Sequence, residues 1–271
     1  MQNWFRNSTI STAALSAGFL LAMVPAAGQA QARIPRLPDG HPNMNGIWQA
    51  MNTANWDLEA HAAQTGLLVD YGAIGAEPGG MGVVEGGEIP YLPAALAQKK
   101  KNYTNRLTAD PEVKCYLPGV PRATYMPYPF QIFESHEAFA IAYEYDGAFR
   151  NIYLKDPGPA PYNFWMGQSY GKWEGDTFVV DVTGLDERTW FDRAGDFHSD
   201  ALHVVERYTM TGPDIMNYEA TIEDPKTFSR PWKIQMPLYR HVEKNAQLME
   251  FKCVEFVEEL MYGKYSKKPT Q

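Results

Sequence analysis

The stretch Gly171-Lys-Trp-Glu-Gly-Asp-Thr-Phe-Val-Val-Asp-Val182 decides the fold class of this 271-residue chain. It reads as strand, Gly-Asp turn, strand, with aromatic and β-branched residues on both sides of a tight turn. The same grammar repeats outward from it. Phe130–Phe133, Phe139–Tyr145 and Phe149–Leu154 precede it; Leu202–Thr211, Ile215–Glu223, Trp232–His241 and Leu248–Phe256 follow, spaced by turn residues such as Asp146-Gly147. These make about nine strands at roughly ten-residue spacing, and Gly46-Ile47-Trp48 reads as a further short strand near the start of the exported part. The expectation is a mainly β chain, a single antiparallel barrel or strongly curved sheet with a few short helices; a two-sheet sandwich is the alternative. The barrel strands should occupy 130–256, with residues 33–110 as an irregular and partly helical wrap. Within that wrap Asp57–Gln64 and Pro93–Asn105 carry helix formers, Gly66–Gly87 reads as an irregular loop, and Lys99-Lys100-Lys101 reads as a solvated helix face.

The N-terminus carries a different signal. Arg6 is the only charge before Arg33, Ile10–Val24 is a short apolar run, and Ala30-Gln31-Ala32 fits a small-residue cleavage site. Residues 1–32 therefore read as a secretory signal peptide, since a membrane span needs about 20 apolar residues. Residues 33–271 are expected as one periplasmic or secreted domain, with no membrane association once the leader is removed. The two cysteines, Cys115 and Cys253, both lie in that exported part and predict one disulfide. Their spacing excludes a CxxC redox motif or a cysteine zinc cage. A net charge of −8 excludes a general nucleic-acid binder, which needs a basic footprint.

One connection breaks the strand rhythm. Gly184–Ala201 is longer than a turn and holds Trp190, Asp192, Asp196, His198 and Asp200; loops of this length tend to carry sites. The strand that follows sorts by alternation. Leu202, Val204, Glu206, Tyr208 and Met210 share the apolar face, while His203, Val205, Arg207, Thr209 and Thr211 share the other. Glu206 therefore points inward, where a carboxylate needs a pairing partner, a metal or a proton. A structural ion pair with an interior Arg or a Tyr hydroxyl is the alternative to a functional role. Arg122 could clamp an anion, but a salt bridge is the simpler reading. Walker, HExxH and G-x-S-x-G patterns do not occur, which weighs against P-loop, zincin and serine hydrolase chemistry.

Four segments carry a resemblance: Asn43-Met-Asn-Gly-Ile-Trp48, Gly171 to Asp181, His198-Ser-Asp-Ala-Leu-His-Val-Val-Glu-Arg207, and Thr221 to Lys226 with Arg230-Pro-Trp232. Together they resemble a family of exported bacterial proteins whose pattern opens P-D-L-S-G-x-W. That pattern continues with G-x-W-x-G-D-T-L-V-V-D-T and H-S-D-x-L-H-V-x-E-R. The chain departs at the opening, where Pro42-Asn43-Met44-Asn45 replaces P-D-L-S. The resemblance implies export and a lipocalin-like barrel, and it brings no activity with it.

Two functions are consistent with these residues. The first is an enzyme doing general acid–base chemistry (elimination, hydration or isomerisation) on a small, partly apolar or aromatic molecule in the barrel. His198 would be its base, Glu206 its acid and Asp200 the orienting group, because imidazole and a buried carboxyl exchange protons near neutrality. Trp190, Tyr208, Trp173 and Asp192 would contact the substrate, with Trp190 part of a lid. No cofactor is expected. A divalent metal on His198, His203 and Glu206 ranks lower, because His203 and Glu206 lie on opposite strand faces. The second function is a non-catalytic exported binding protein for a hydrophobic ligand.

Overall fold

The computed structural model describes residues 33–66 and 76–262. The expected leader, and residues 67–75 of the expected irregular loop, lie outside the described residues. Nine strands close into a barrel: β1 Gly46–Ala50, β2 Phe130–Glu134, β3 Phe139–Tyr143, β4 Phe149–Tyr153, β5 Gln168–Glu174, β6 Thr177–Thr183, β7 His203–Met210, β8 Ile215–Glu223 and β9 Trp232–Arg240. The deciding hairpin is β5–β6, paired from Glu174↔Thr177 to Gln168↔Thr183, and its Gly175 takes φ +63° at the turn.

Closure explains the one departure from antiparallel pairing. A ring of nine strands cannot alternate direction at every neighbour, because an odd ring has no consistent up-down assignment. The exception is β4–β5, which pair in parallel through Ile152↔Ser169 and Tyr153↔Tyr170. The Pro- and Gly-bearing segment 154–167 carries the chain back between them, since parallel neighbours need a long connection rather than a hairpin. The ring closes where β1 pairs with β9 through Trp48↔Arg240 and Ala50↔Leu238. The barrel therefore begins at residue 46, well before the 130–256 block expected to build it.

Two local expectations change. Leu248–Phe256 forms no strand; it is irregular and leads into helix α4, Val257–Tyr262. The reason is closure again: β9 already pairs with both β8 and β1, so no sheet edge remains for a further strand. Asp57–Gln64 is not helical either. Its backbone is drawn outward, with the Leu58 N–H donating to the Asp192 carboxylate at 2.9 Å and isolated bridges pairing His61 with Gly80 and Gln64 with Glu77. The expected helix at Pro93 is present as α1, Pro93–Thr104; α2, Arg106–Ala109, and α3, Arg122–Tyr125, follow it.

The barrel interior is filled by side chains. Trp48, Phe130, Phe139, Phe178, Tyr208, Tyr218, Met216 and Leu238 are buried there, and Phe139 stacks on Phe178 at 4.1 Å. Outside, the N-terminal arm lies on the β5–β6 turn. Arg36 forks onto Asp176 at 2.8 and 2.5 Å, and His41 stacks on Trp173 at 4.4 Å with the planes 7° apart. Cys115 and Cys253 are joined by a disulfide that closes a 138-residue separation. It ties the segment before α3 to the irregular C-terminal stretch. A disulfide fits an oxidising compartment, and among the described residues no helix is long and apolar enough to cross a membrane.

Candidate functional site

The inward carboxylate of β7 is where the sequence pattern places it. Glu206 is fully buried, on the face shared with Val204, Tyr208 and Met210. Its neighbours are supplied by strand register: Arg150 from β4, Ser169 from β5, Tyr208 from its own strand and Tyr218 from β8. Glu206 Oε1 accepts from the hydroxyls of Tyr208 at 2.9 Å and Tyr218 at 2.8 Å. Arg150 Nη2 donates to Oε2, and Arg150 Nε donates to Ser169 Oγ at 2.8 Å. All three direct neighbours of the carboxylate donate to it, and Ser169 Oγ accepts the remaining Arg150 Nε bond.

The electrostatics follow from burial. Burial opposes the charge on Arg150, yet Glu206 beside it holds the guanidinium well above its ordinary value. Burial, followed by the charge of Glu206, lifts the Tyr208 and Tyr218 phenols well above theirs, so both remain donors. The Tyr143 phenol, at the end of β3, is raised by burial as well. An ion pair this deep costs desolvation that its attraction offsets only with good geometry and further hydrogen bonds, and here both are present.

A second layer of buried polar groups lies beside it. Thr124 Oγ1, Tyr143 Oη and Arg150 Nη1 make no short hydrogen bond among the described residues, but Thr124 and Arg150 both reach the Tyr143 hydroxyl as hydrogen-bonding neighbours. Thr124 sits on α3, which Arg122 anchors. Buried Arg122 donates to Asn55 at 2.8 Å, to Asp110 at 3.0 and 3.3 Å, and to Glu112 at 2.7 Å. The salt-bridge reading of Arg122 therefore describes its geometry.

The chain matches no protein-family model, no curated protein and no solved structure.

The other residues singled out in the sequence lie elsewhere. His198 is buried in the 184–201 connection, where its Nδ1 faces the Ser199 carbonyl at 2.8 Å and its Nε2 faces the Thr189 hydroxyl at 2.7 Å. A carbonyl can only accept, so Nδ1 carries a proton, while Nε2 lies against a Thr189 hydroxyl that also reaches the Asp186 carbonyl at 3.1 Å. Burial lowers its pKa. Asp200 is exposed and paired with Lys226 at 2.6 Å. His198, Asp200 and Glu206 share no hydrogen-bond partner. His203 faces outward to Asp181 at 2.9 Å, so the set His198, His203 and Glu206 does not converge on a metal position. Trp173 is covered by His41, and Trp190 is bridged to Phe197 and packed down, 9% exposed.

Asp192 belongs to a second polar centre at the outside of the barrel. Its carboxylate lies within 4.8 Å of those of Asp57 and Asp196. Burial first, and then Asp196, pushes Asp192 well above the usual carboxylate range. Lys99 supplies the cation here, at 3.1 Å from Asp196 and 3.2 Å from Glu59. The expected solvated lysine face is thus corrected at Lys99, which turns in because buried Asp196 needs a counter-charge. Asp57 and Lys99 line a cleft of about 610 Å³ with Trp56, Leu96 and Tyr103.

Sequence reading missed Arg150, Tyr143, Tyr218, Ser169 and Thr124. Alternation could have found Tyr218, which shares the buried face of Met216, Ala220 and Ile222 in β8. It could not have found Arg150, because in β4 the exposed face carries Phe149 and Tyr153 while Arg150 and Ile152 are buried. Thr124 had no such signal, because α3 has only four residues and no amphipathic period.

Proposed function

We propose that this chain is an exported acid–base enzyme of lyase or isomerase type, with Glu206 as the group that moves the proton. Its substrate is a small, partly apolar or aromatic molecule bound among the aromatic side chains of the barrel. The observation that carries this reading is the full burial of the Glu206 carboxylate among the donors Arg150, Tyr208 and Tyr218. Buried titratable groups in a polar cluster are the usual mark of proton-transfer sites. The role given to His198 and Asp200 in the sequence reading passes to Arg150 and the tyrosines, which touch Glu206. Export is supported by the leader reading and by the disulfide. All members of the centre are 0–3% exposed, so this reading requires side chains of the filled interior to rearrange and open space beside Glu206.

Deuterium incorporation from solvent, followed by NMR across a panel of small enones, β-hydroxy ketones and aryl ketones, tests the reading. Wild-type protein should exchange at least one class, and Glu206→Asp, which keeps the charge but withdraws the oxygen by one carbon, should slow exchange by about tenfold or more at unchanged fold. No exchange into any panel member by the wild type, or exchange at the wild-type rate by both Glu206→Asp and Glu206→Gln, would leave a non-catalytic carrier as the function.

A further inference from the structure

One wall of the 610 Å³ cleft is built from two short segments, 58–64 and 77–83, that lie antiparallel. The His61 and Gly80 amides donate to each other's carbonyls at 3.0 and 2.9 Å, and the Gln64 and Glu77 amides do the same at 3.1 and 2.9 Å. Gly79 and Gly82 let the two backbones close, since a Cβ on either would stand 2.7 Å from the Ala63 or Ala60 nitrogen. Gln64 is hydrogen-bonded to the Tyr103 hydroxyl at 3.2 Å, and Glu77 pairs with Arg106 at 3.3 Å. These two contacts tie the wall to α1 and α2, which also line the cleft.

The His61 side chain joins the same two segments. Its Nδ1 faces the Glu59 carbonyl at 2.8 Å, and its Nε2 faces the Pro78 carbonyl at 3.1 Å. A carbonyl oxygen only accepts; neutral imidazole has one N–H to give and imidazolium has two. The ring therefore satisfies both carbonyls only while it is protonated on both nitrogens. Once the second proton leaves, a nitrogen lone pair faces a carbonyl oxygen, and that contact turns repulsive. The Pro78 contact is the longer one and comes from the opposite segment, so the neutral ring keeps Glu59 and gives up Pro78.

We propose that His61 is a pH-operated clasp on the cleft wall. Protonated, it pins 77–83 against 58–64; deprotonated, it releases the Pro78 carbonyl and lets the wall loosen. Histidine is the side chain whose charge ordinarily changes between about pH 5 and 8. Among the described residues, the charged groups lining the cleft with His61 are Asp57, Glu77, Lys99, Lys100, Arg106 and Arg193. Lys99 is held by Asp196 and Glu59, Arg106 by Glu77, and Arg193 by Glu112. Lys100 is exposed, where water and salt screen it. Asp57 couples to the ring. Burial first, and then Asp196, raises its carboxyl, while the His61 charge draws it back down, so the two groups favour each other's charged forms.

Amide hydrogen–deuterium exchange from about pH 5.5 to about pH 8, corrected for the intrinsic rate, tests the clasp on the full chain with its disulfide intact. Protection of the Gly80 and Glu77 amides should fall by about tenfold across that range, the loss of one charge-assisted bond, while β7 amides hold constant. His61→Gln, whose amide donates but does not titrate, should give protection that is independent of pH. Nitrogen NMR of the wild-type histidines reads the proton without any variant. His61 should carry protons on both ring nitrogens at the acid end and on one at the alkaline end, and the change should coincide with the fall in Gly80 protection. Wild-type protection that does not change with pH, the same fall in His61→Gln, or loss of the His61 proton with the Gly80 amide unaffected would each overturn the clasp.

Discussion

Replacing Arg150 by Met is the sharpest test of how the barrel interior is held together. The guanidinium is 2% exposed and its partner Glu206 is fully buried. Met fills similar volume but leaves Glu206 with only the two neutral tyrosine hydroxyls. Removing one member of a buried pair typically costs about 3–5 kcal/mol, because the other charge is stranded. For a domain of this size about 2–4 °C accompanies each kcal/mol, so Tm should fall by about 6–20 °C. Glu206→Gln should cost a similar amount, for it strands Arg150 while the amide still accepts from the tyrosines. The double variant strands neither charge. It loses the guanidinium bonds to Ser169 and position 206, at about 1 kcal/mol each, and should be destabilised by less than either single change. The coupling read from equilibrium urea unfolding, with the disulfide intact, should therefore exceed about 3 kcal/mol. Additive single effects within about 0.5 kcal/mol, or an Arg150→Met protein within about 1 kcal/mol of wild type, would refute the reasoning.

Three further outcomes follow from the same structure. Burial raises the Glu134 carboxyl from 4.5 to about 7, so the folded state binds its proton more tightly than the unfolded chain; its contribution to stability should decline as pH rises from about 4.5 to 7 and stay constant above, a slope that Glu134→Gln removes from a Tm–pH series. His198 has the opposite sign, since burial lowers its pKa below 6.5 and its contribution is lost as pH falls from 6.5 through that lower value; His198→Gln should flatten the acid side of the same series while leaving solvent exchange into substrate intact, and loss of exchange would restore a catalytic histidine. The Cys115–Cys253 disulfide closes a loop of more than a hundred residues; Cys115→Ser with Cys253→Ser should lose up to about 5 kcal/mol in urea unfolding, and no loss would mean that the unfolded chain is not constrained by the link.

Only Glu206 and Tyr208 of the candidate site were legible along the chain, and the reason is physical. Strand residues alternate with period two, so Glu206 and Tyr208 could be placed indoors, and His203 outdoors, from β7 alone. The Gly175-Asp176 turn fixed the β5–β6 hairpin locally. Two cysteines admit only one intramolecular pairing, and it is the observed one. The 184–201 connection stands out by its length, and its buried Asp196 pairs with Lys99 while His198 bonds within the connection to Thr189 and Ser199.

The partners of those residues were decided by tertiary structure. Arg150 lies 56 residues from Glu206, and the two meet only because β4 to β7 run side by side in the barrel wall with fixed registers. No local period encodes that distance. The same holds for ring closure through β1, for the parallel β4–β5 seam that an odd ring requires, and for the idle strand potential of residues 248–256 once every sheet edge is taken. A sequence specifies which face a residue occupies through interactions a few residues apart. Which charge it meets there depends on long-range pairing, and that is set only when the whole barrel closes.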